Sequence, residues 1–191
     1  MDYFTFALTV FVGFFAIMNP IAGVPVYLSM VEGADEKQKK AISKKATLVA
    51  FVIILVFILF GASIFNVFGI TIPAFKITGG ILIFYVGFEM LQSKKSRVKH
   101  LEDPVIDENI AVSPLGIPLL AGPGTIVTAM HFVTDADYIK VGIVILVFSI
   151  ICFLTYMAFN MGEALVSRIG TNIITVFGKI MGGFDRLLMQ Q

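Results

Sequence analysis

Ala16-Ile17-Met18-Asn19-Pro20-Ile21-Ala22-Gly23-Val24-Pro25-Val26-Tyr27-Leu28 lies inside an uncharged run that extends from Tyr3 to Val31. A run of this length can cross a bilayer, whose hydrocarbon core takes about 20 mainly apolar residues. Asn19, Pro20, Gly23 and Pro25 are out of place in an ordinary span. Each proline lacks an N–H, and its ring collides with the carbonyl four residues back, so a continuous helix through both would leave backbone groups unpaired. In hydrocarbon such groups are tolerated only where protein or a water-filled cavity satisfies them. The stretch therefore predicts a broken membrane helix beside a cavity in which something is bound or moved.

Composition agrees with the membrane reading. Of 191 residues 58% are hydrophobic and 14% charged, and the mean hydropathy is +0.94, whereas soluble domains carry about 25% charged residues. A formal net charge of +1 lacks the basic excess of a nucleic-acid binder. The single cysteine, Cys152, excludes an intrachain disulfide and any multi-cysteine metal site, and it reads as a small buried hydrophobe. The first Lys or Arg is Lys37, so the basic leader of a cleavable signal peptide is missing and the first apolar run is expected to stay.

Six spans are predicted: Tyr3–Val31, broken near Asn19; Ser43–Gly69; Pro73–Gln92; Ala111–His131; Ile139–Gly162; and Thr171 to the C-terminus. Two polar segments, Glu32–Lys45 with five lysines and three acids and Lys94–Asn109 with four Lys or Arg, read as solvated loops and snorkelling helix ends. Both fall on the same side of a six-span chain, and the opposite loops hold only Lys140. The positive-inside rule then puts both termini outside and the basic side in the cytoplasm.

The chain repeats itself at an offset of 103 positions, which lays Pro20 on Pro123, Lys76 on Lys179, Ile77 on Ile180, and Gly79-Gly80 on Gly182-Gly183. The matches in the third and sixth spans form a Lys-Ile-x-Gly-Gly signature. With three spans in each half, the second half must enter the membrane the other way round. The expected fold is thus an all-α membrane protein of six transmembrane helices built as two inverted three-helix repeats, 1–93 and 111–191, joined by a cytoplasmic linker at 94–110, with helices 1 and 4 broken. Inverted repeats of this kind underlie many secondary transporters.

The counterpart of Asn19-Pro20 is Gly122-Pro123, within Ala121-Gly122-Pro123-Gly124-Thr125. Glycines flanking a proline can take φ values closed to other residues and let a ligand or backbone approach. Paired interruptions in corresponding spans mark a transporter site. Free N–H groups at the start of a half-helix suit a carboxylate, and unwound carbonyls suit an ammonium. No Lys, Arg, Asp or Glu sits at the centre of spans 1, 2, 4 or 5, so a zwitterion fits better than a net-charged substrate. Asn19 and Thr125 add side-chain polarity, and the glycines keep the cavity small.

Lys76 and Lys179 read as interfacial anchors, and His131 as interfacial also. Glu89 and Asp185 are the candidates for proton coupling, because intramembrane acids mark proton pathways. Enzyme chemistry lacks its parts: there is no His-Glu-x-x-His, no Gly-x-Ser-x-Gly, no phosphate-binding loop and only two histidines. No cofactor or metal is expected. A channel or exporter of a metal ion or drug, and a non-transporting membrane interaction protein, stand as alternatives.

Asn19-Pro20-Ile-Ala-Gly23-Val-Pro25 together with Ala121-Gly122-Pro123-Gly124-Thr125-Ile126, at these places in a six-span chain, resembles the MarC family of inner-membrane proteins, over essentially the whole chain. The resemblance implies a SnatA-like, proton-coupled transporter of small neutral amino acids such as glycine and alanine, in the cell inner membrane. It carries over Asn19, Pro20, Gly23, Pro25, Gly122, Pro123, Gly124 and Thr125 as the substrate site. Oligomeric state and transport direction are left open. The ending Phe184-Asp185-Arg186-Leu-Leu-Met-Gln-Gln departs from the family's apolar last span, so the final span is expected to be either short or cut back.

Overall fold

A computed structural model describes residues 2–69, 71, 73–75, 77–81, 84, 116, 120–134 and 136–169. The expected sixth span, the linker, Lys76, Glu89, Lys179, Gly182, Gly183 and Asp185 lie outside the described residues. Among the described residues all regular structure is helical: α1 Tyr3–Met18, α2 Pro20–Met30, α3 Glu36–Val67, α4 Pro123–Val133, α5 Tyr138–Asn160 and α6 Gly162–Ile169. Residues 73–75 and 77–81 are helical as well, where the third span was expected.

Among the described residues, three segments are long and apolar enough to cross a membrane, Tyr3–Met30, Glu36–Gly61 and Tyr138–Asn160. Each begins on an aspartate. Asp2 Oδ1 accepts the Thr5 N–H at 3.1 Å, Asp35 Oδ1 the Gln38 N–H at 2.7 Å, and Asp137 Oδ1 the Lys140 N–H at 2.8 Å. These N-caps satisfy donors that the helices themselves leave orphaned. At Asp35 the Gln38 side chain also accepts the Asp35 N–H at 3.0 Å, which completes a capping box. That box explains where the helix begins: α3 starts at Glu36, ahead of the span expected from Ser43, and the lysine-rich segment 36–45, expected as loop and snorkelling helix end, is its opening turns. Glu36 and Lys39 form an ion pair one turn apart there. The short helix α6 was not anticipated.

Contacts between side chains give each helix its course. Phe14 meets Phe148 at 4.8 Å between ring centroids, the Thr155 hydroxyl lies 3.9 Å from Met18 Sδ, and Tyr27 stacks on Phe159 at 4.5 Å. So α1 and α2 follow α5 in the same direction, and the interruption between them is a kink within one span. In α3, Ser43 meets Asn160 and Phe51 meets Phe148; α3 therefore runs opposite to α5. A short connection joins the end of α4 to the start of α5, and Phe132, near the end of α4, packs edge-on against Phe6, near the start of α1. α4 thus runs opposite to both α1 and α5.

α5 packs against α1, α2, α3, α4 and α6. Its inner face, Val144, Val147, Phe148, Ile151, Cys152, Thr155 and Phe159, is buried. The outer faces of the long helices expose Leu48, Phe60, Leu146 and Phe153, the arrangement expected of helices whose solvent on that side is lipid.

Candidate functional site

Asn19 is the first interruption. Its backbone is left-handed, φ 42° and ψ 67°, and it is the one described non-glycine residue with positive φ. Asn tolerates this region better than most residues because its short polar side chain can bond locally. Asn19 caps both half-helices at once. Its N–H donates to the Phe15 carbonyl at 2.9 Å, its carbonyl accepts the Gly23 N–H at 3.1 Å, and its side-chain oxygen accepts the Ala22 N–H at 3.3 Å. Pro20 has no N–H, so the Ala16 carbonyl is left without a helical donor, and Pro25 does the same to Ile21 inside α2. Asn19, Pro20 and Gly23 are buried, and Pro25 is half-buried.

The second interruption is built differently. The chain arrives through a widened turn in which the Ala121 N–H donates to the Gly116 carbonyl, five residues back, at 2.9 Å. The Thr125 hydroxyl then donates to the Leu120 carbonyl at 2.9 Å, also five residues back. Gly122, φ −65° and ψ 169°, is the N-cap of α4 and offers no side chain to it. Pro123 has no N–H, the Ile126 N–H donates to the Gly122 carbonyl at 3.1 Å, and the first-turn N–H groups of Gly124 and Thr125 have no acceptor within the helix. Gly122 and Thr125 are buried, Gly124 is half-buried and Pro123 is exposed.

One possibility raised by the sequence is not realised here. The conformation closed to other residues belongs to Asn19; Gly122 sits in extended backbone open to any residue, and the positive-φ glycines described are Gly33 and Gly69, in turns. The glycines act through close packing instead. A Cβ at Gly23 would lie 3.3 Å from the Phe159 ring, one at Gly79 would fall 2.0 Å from Val127 Cγ2, and one at Gly13 would meet Phe132 at 2.9 Å. Gly79, in the third-span segment, thereby braces the second broken helix at Val127.

Residues that the sequence reading passed over also gather near α2. Thr155 is fully buried beside Met18, the residue before the first break, with its hydroxyl donating to the Ile151 carbonyl at 2.8 Å. At the lysine-rich end the Tyr27 hydroxyl donates to the Lys39 carbonyl at 2.8 Å, Ser43 Oγ lies 3.1 Å from Asn160 Oδ1, and Lys39 pairs with Glu163. The available signal was a polar residue recurring within otherwise apolar helix ends. His131 is exposed in the last turn of α4 beside Phe132, consistent with an interfacial position. Cys152 is buried, as expected. Among the described residues no group of His, Cys, Asp and Glu is placed to hold a metal ion.

Comparison with known proteins follows the same line. The family described as "MarC family integral membrane protein" matches residues 4–189. A UPF0056 membrane protein of Pyrococcus horikoshii is 42% identical over 90% of this chain and 84% of its own length. The UPF0056 membrane protein YvbG of Bacillus subtilis is 35% identical over 94% of this chain and 88% of its own, and one from Methanocaldococcus jannaschii is 36% identical over 95% and 89%. No solved structure matches.

Proposed function

This chain belongs to the MarC family of integral membrane proteins, and on that premise we propose that it is a secondary transporter of small neutral amino acids, of the glycine and alanine class, working by alternating access. The observation that carries the reading is the left-handed, buried Asn19 between two half-helices of one span. A left-handed residue and two prolines weaken a span that packing alone would keep continuous, and transporters use such breaks to hold substrate.

The two breaks suit the two poles of a zwitterion. The carbonyls that Pro20 and Pro25 leave without donors, at Ala16 and Ile21, would accept an ammonium, and the uncapped N–H groups of Gly124 and Thr125 would donate to a carboxylate. The contact register supports their meeting. A Cβ on Gly13 would lie 3.7 Å from Thr128 Cγ2, and six residues of helix, about 9 Å of rise, lead from Gly13 to Asn19 and back from Thr128 to Gly122. Both breaks then lie at about the same depth. Close packing at Gly23 and Gly79 favours a small ligand.

The opposed courses of α1 and α4, and of α3 and α5, support a reading as two inverted three-helix repeats, which would rock about the site. Both termini outside and proton coupling through Glu89 and Asp185 complete the reading, in a cell inner membrane. The relatives' printed names carry no enzymatic activity, in line with transport without catalysis. Proteoliposomes should take up labelled glycine saturably, with competition by alanine. Linear, non-saturating flux, or competition by cations alone, would reject the assignment in favour of a channel or another solute.

A further inference from the structure

Three elements converge at the lysine-rich end: α2, the start of α3, and the junction of α5 with α6. We propose that this end is a closed gate between the proposed site and that side of the membrane, with Phe159 as its plug and Lys39–Glu163 and Ser43–Asn160 as its latch. The proposal rests on reading the first break as the substrate site.

Phe159 is buried at 2% exposure and Tyr27 at 1%. Their rings stack at 4.5 Å, with planes 2° apart, and the Phe159 ring also lies against Gly23, one turn beyond Asn19. Anything leaving Asn19 along α2 towards the lysine-rich end meets these two rings first. Past them, Gly162 approaches so closely that a Cβ would lie 3.0 Å from Val24 and 3.2 Å from Leu28. The seal is therefore apolar.

Polar links pin the seal from its rim. The Tyr27 hydroxyl donates to the Lys39 carbonyl at 2.8 Å, which ties the stacked ring to α3. Ser43 Oγ lies 3.1 Å from both the Lys40 carbonyl and Asn160 Oδ1, while Asn160 Nδ2 donates to the Tyr156 carbonyl at 2.8 Å. Lys39 pairs with Glu163 across to α6 and with Glu36 on its own helix. The Glu163 side chain is 67% exposed, and exposed ion pairs are weak. A gate needs that weakness, because a ligand shifts a conformational equilibrium only by its differential affinity for the two states.

The test uses Ala22→Cys, beside the break, in a Cys152→Ser background. Oriented proteoliposomes are exposed at the lysine-rich side to a membrane-impermeant thiol reagent. Labelling should be slow in this background, about fivefold faster after Glu163→Gln, faster again after Phe159→Ala, and slow once more in the Lys39→Glu/Glu163→Lys swap. Parental labelling rates in both Glu163→Gln and Phe159→Ala, in protein with unchanged melting temperature, would overturn the gate. Glycine protection separates this from the substrate reading. Faster labelling that glycine does not slow leaves the gate standing and removes the amino-acid site; glycine protection with unchanged rates does the reverse.

Discussion

The two interruptions solve one problem in opposite ways. At the first, a single residue turns left-handed and closes on itself: Asn19 ends α1 with its N–H, opens α2 with its carbonyl, and caps Ala22 with its side chain. At the second, the preceding turn widens, the backbone at Gly122 stays ordinary, and α4 begins with no side-chain cap. The first break thus leaves carbonyls in excess, and the second leaves N–H groups. The two breaks thus differ in polarity, as the proposed zwitterionic substrate would require.

The largest expected effect comes from cancelling that asymmetry. Gly122→Ser keeps a backbone that any residue can adopt but supplies the missing N-cap, whose hydroxyl would occupy the N–H of Gly124 or Thr125. Glycine uptake should fall more than tenfold while the melting temperature holds or rises slightly, the stability–function opposition expected where a site is deliberately unsatisfied. Uptake at the original rate would show that the start of α4 does not hold the carboxylate. At the other break, Asn19→Ala loses the cap and leaves in the left-handed region a side chain with no polar group to bond locally. The two penalties together come to about 2 to 3 kcal/mol, readable as a lowered denaturation midpoint. Asn19→Gly should recover the conformational part alone. Equal losses in the two variants would mean that the left-handed backbone is not the strained feature.

How much of this contrast could be read from residues alone depends on whether its cause is local. Pro20 and Pro25 remove donors wherever they stand, so the first break was legible, whereas Asn19 was read as site polarity and its role as a cap came from the structure. The starts of α1 and α5 were legible to within a residue from the apolar runs at Tyr3 and Ile139, though the capping aspartates were not weighed. The opening turns of α3 were misjudged because lysines were weighed as solvent-facing charge, and the Asp35–Gln38 capping box that makes them helical was overlooked. The left-handed freedom that glycine offers is not used at Gly122, because glycine permits positive φ without demanding it. The Phe159–Gly23 packing, the Ser43–Asn160 link and the Lys39–Glu163 pair join residues more than a hundred positions apart. Patterns of period 3.6 carry no information about such partners.

The braces behind the breaks differ as well. α2 is backed by an aromatic plug at Gly23, and α4 by the near contact of Gly79 with Val127. Gly79→Ala forces a methyl group into the space of a stiff β-branched side chain, and overpacking of this sort costs about 2 kcal/mol. Val127→Ala in the same chain should restore most of the loss, a coupling that double-mutant analysis of the denaturation midpoints would measure. Additive effects would place the two residues in separate environments and remove the brace.

The smallest effect tests why the cap at the break is an amide while the caps at the starts of α1, α3 and α5 are carboxylates. A charge at depth costs roughly 2.5 to 3.5 kcal/mol on insertion scales, so Asn19 does neutrally what Asp2, Asp35 and Asp137 do as anions. At Asp137, the hydrogen bond from the Lys140 backbone N–H holds the carboxyl below its ordinary value of 3.8, with the Lys140 side chain adding to the effect. A depressed folded-state pKa contributes stability that is present above the unfolded value and fades as pH falls through the folded one. The window therefore lies below pH 3.8, and the side chain is exposed, so the effect is small. Asp137→Asn retains an acceptor for the Lys140 N–H but cannot titrate. Its melting temperature should sit slightly below that of the parent at neutral pH and converge with it in acid. Curves that stay parallel through the acid range would show that charge contributes nothing to this cap, and the choice of Asn over Asp at the break would then need a cause other than depth.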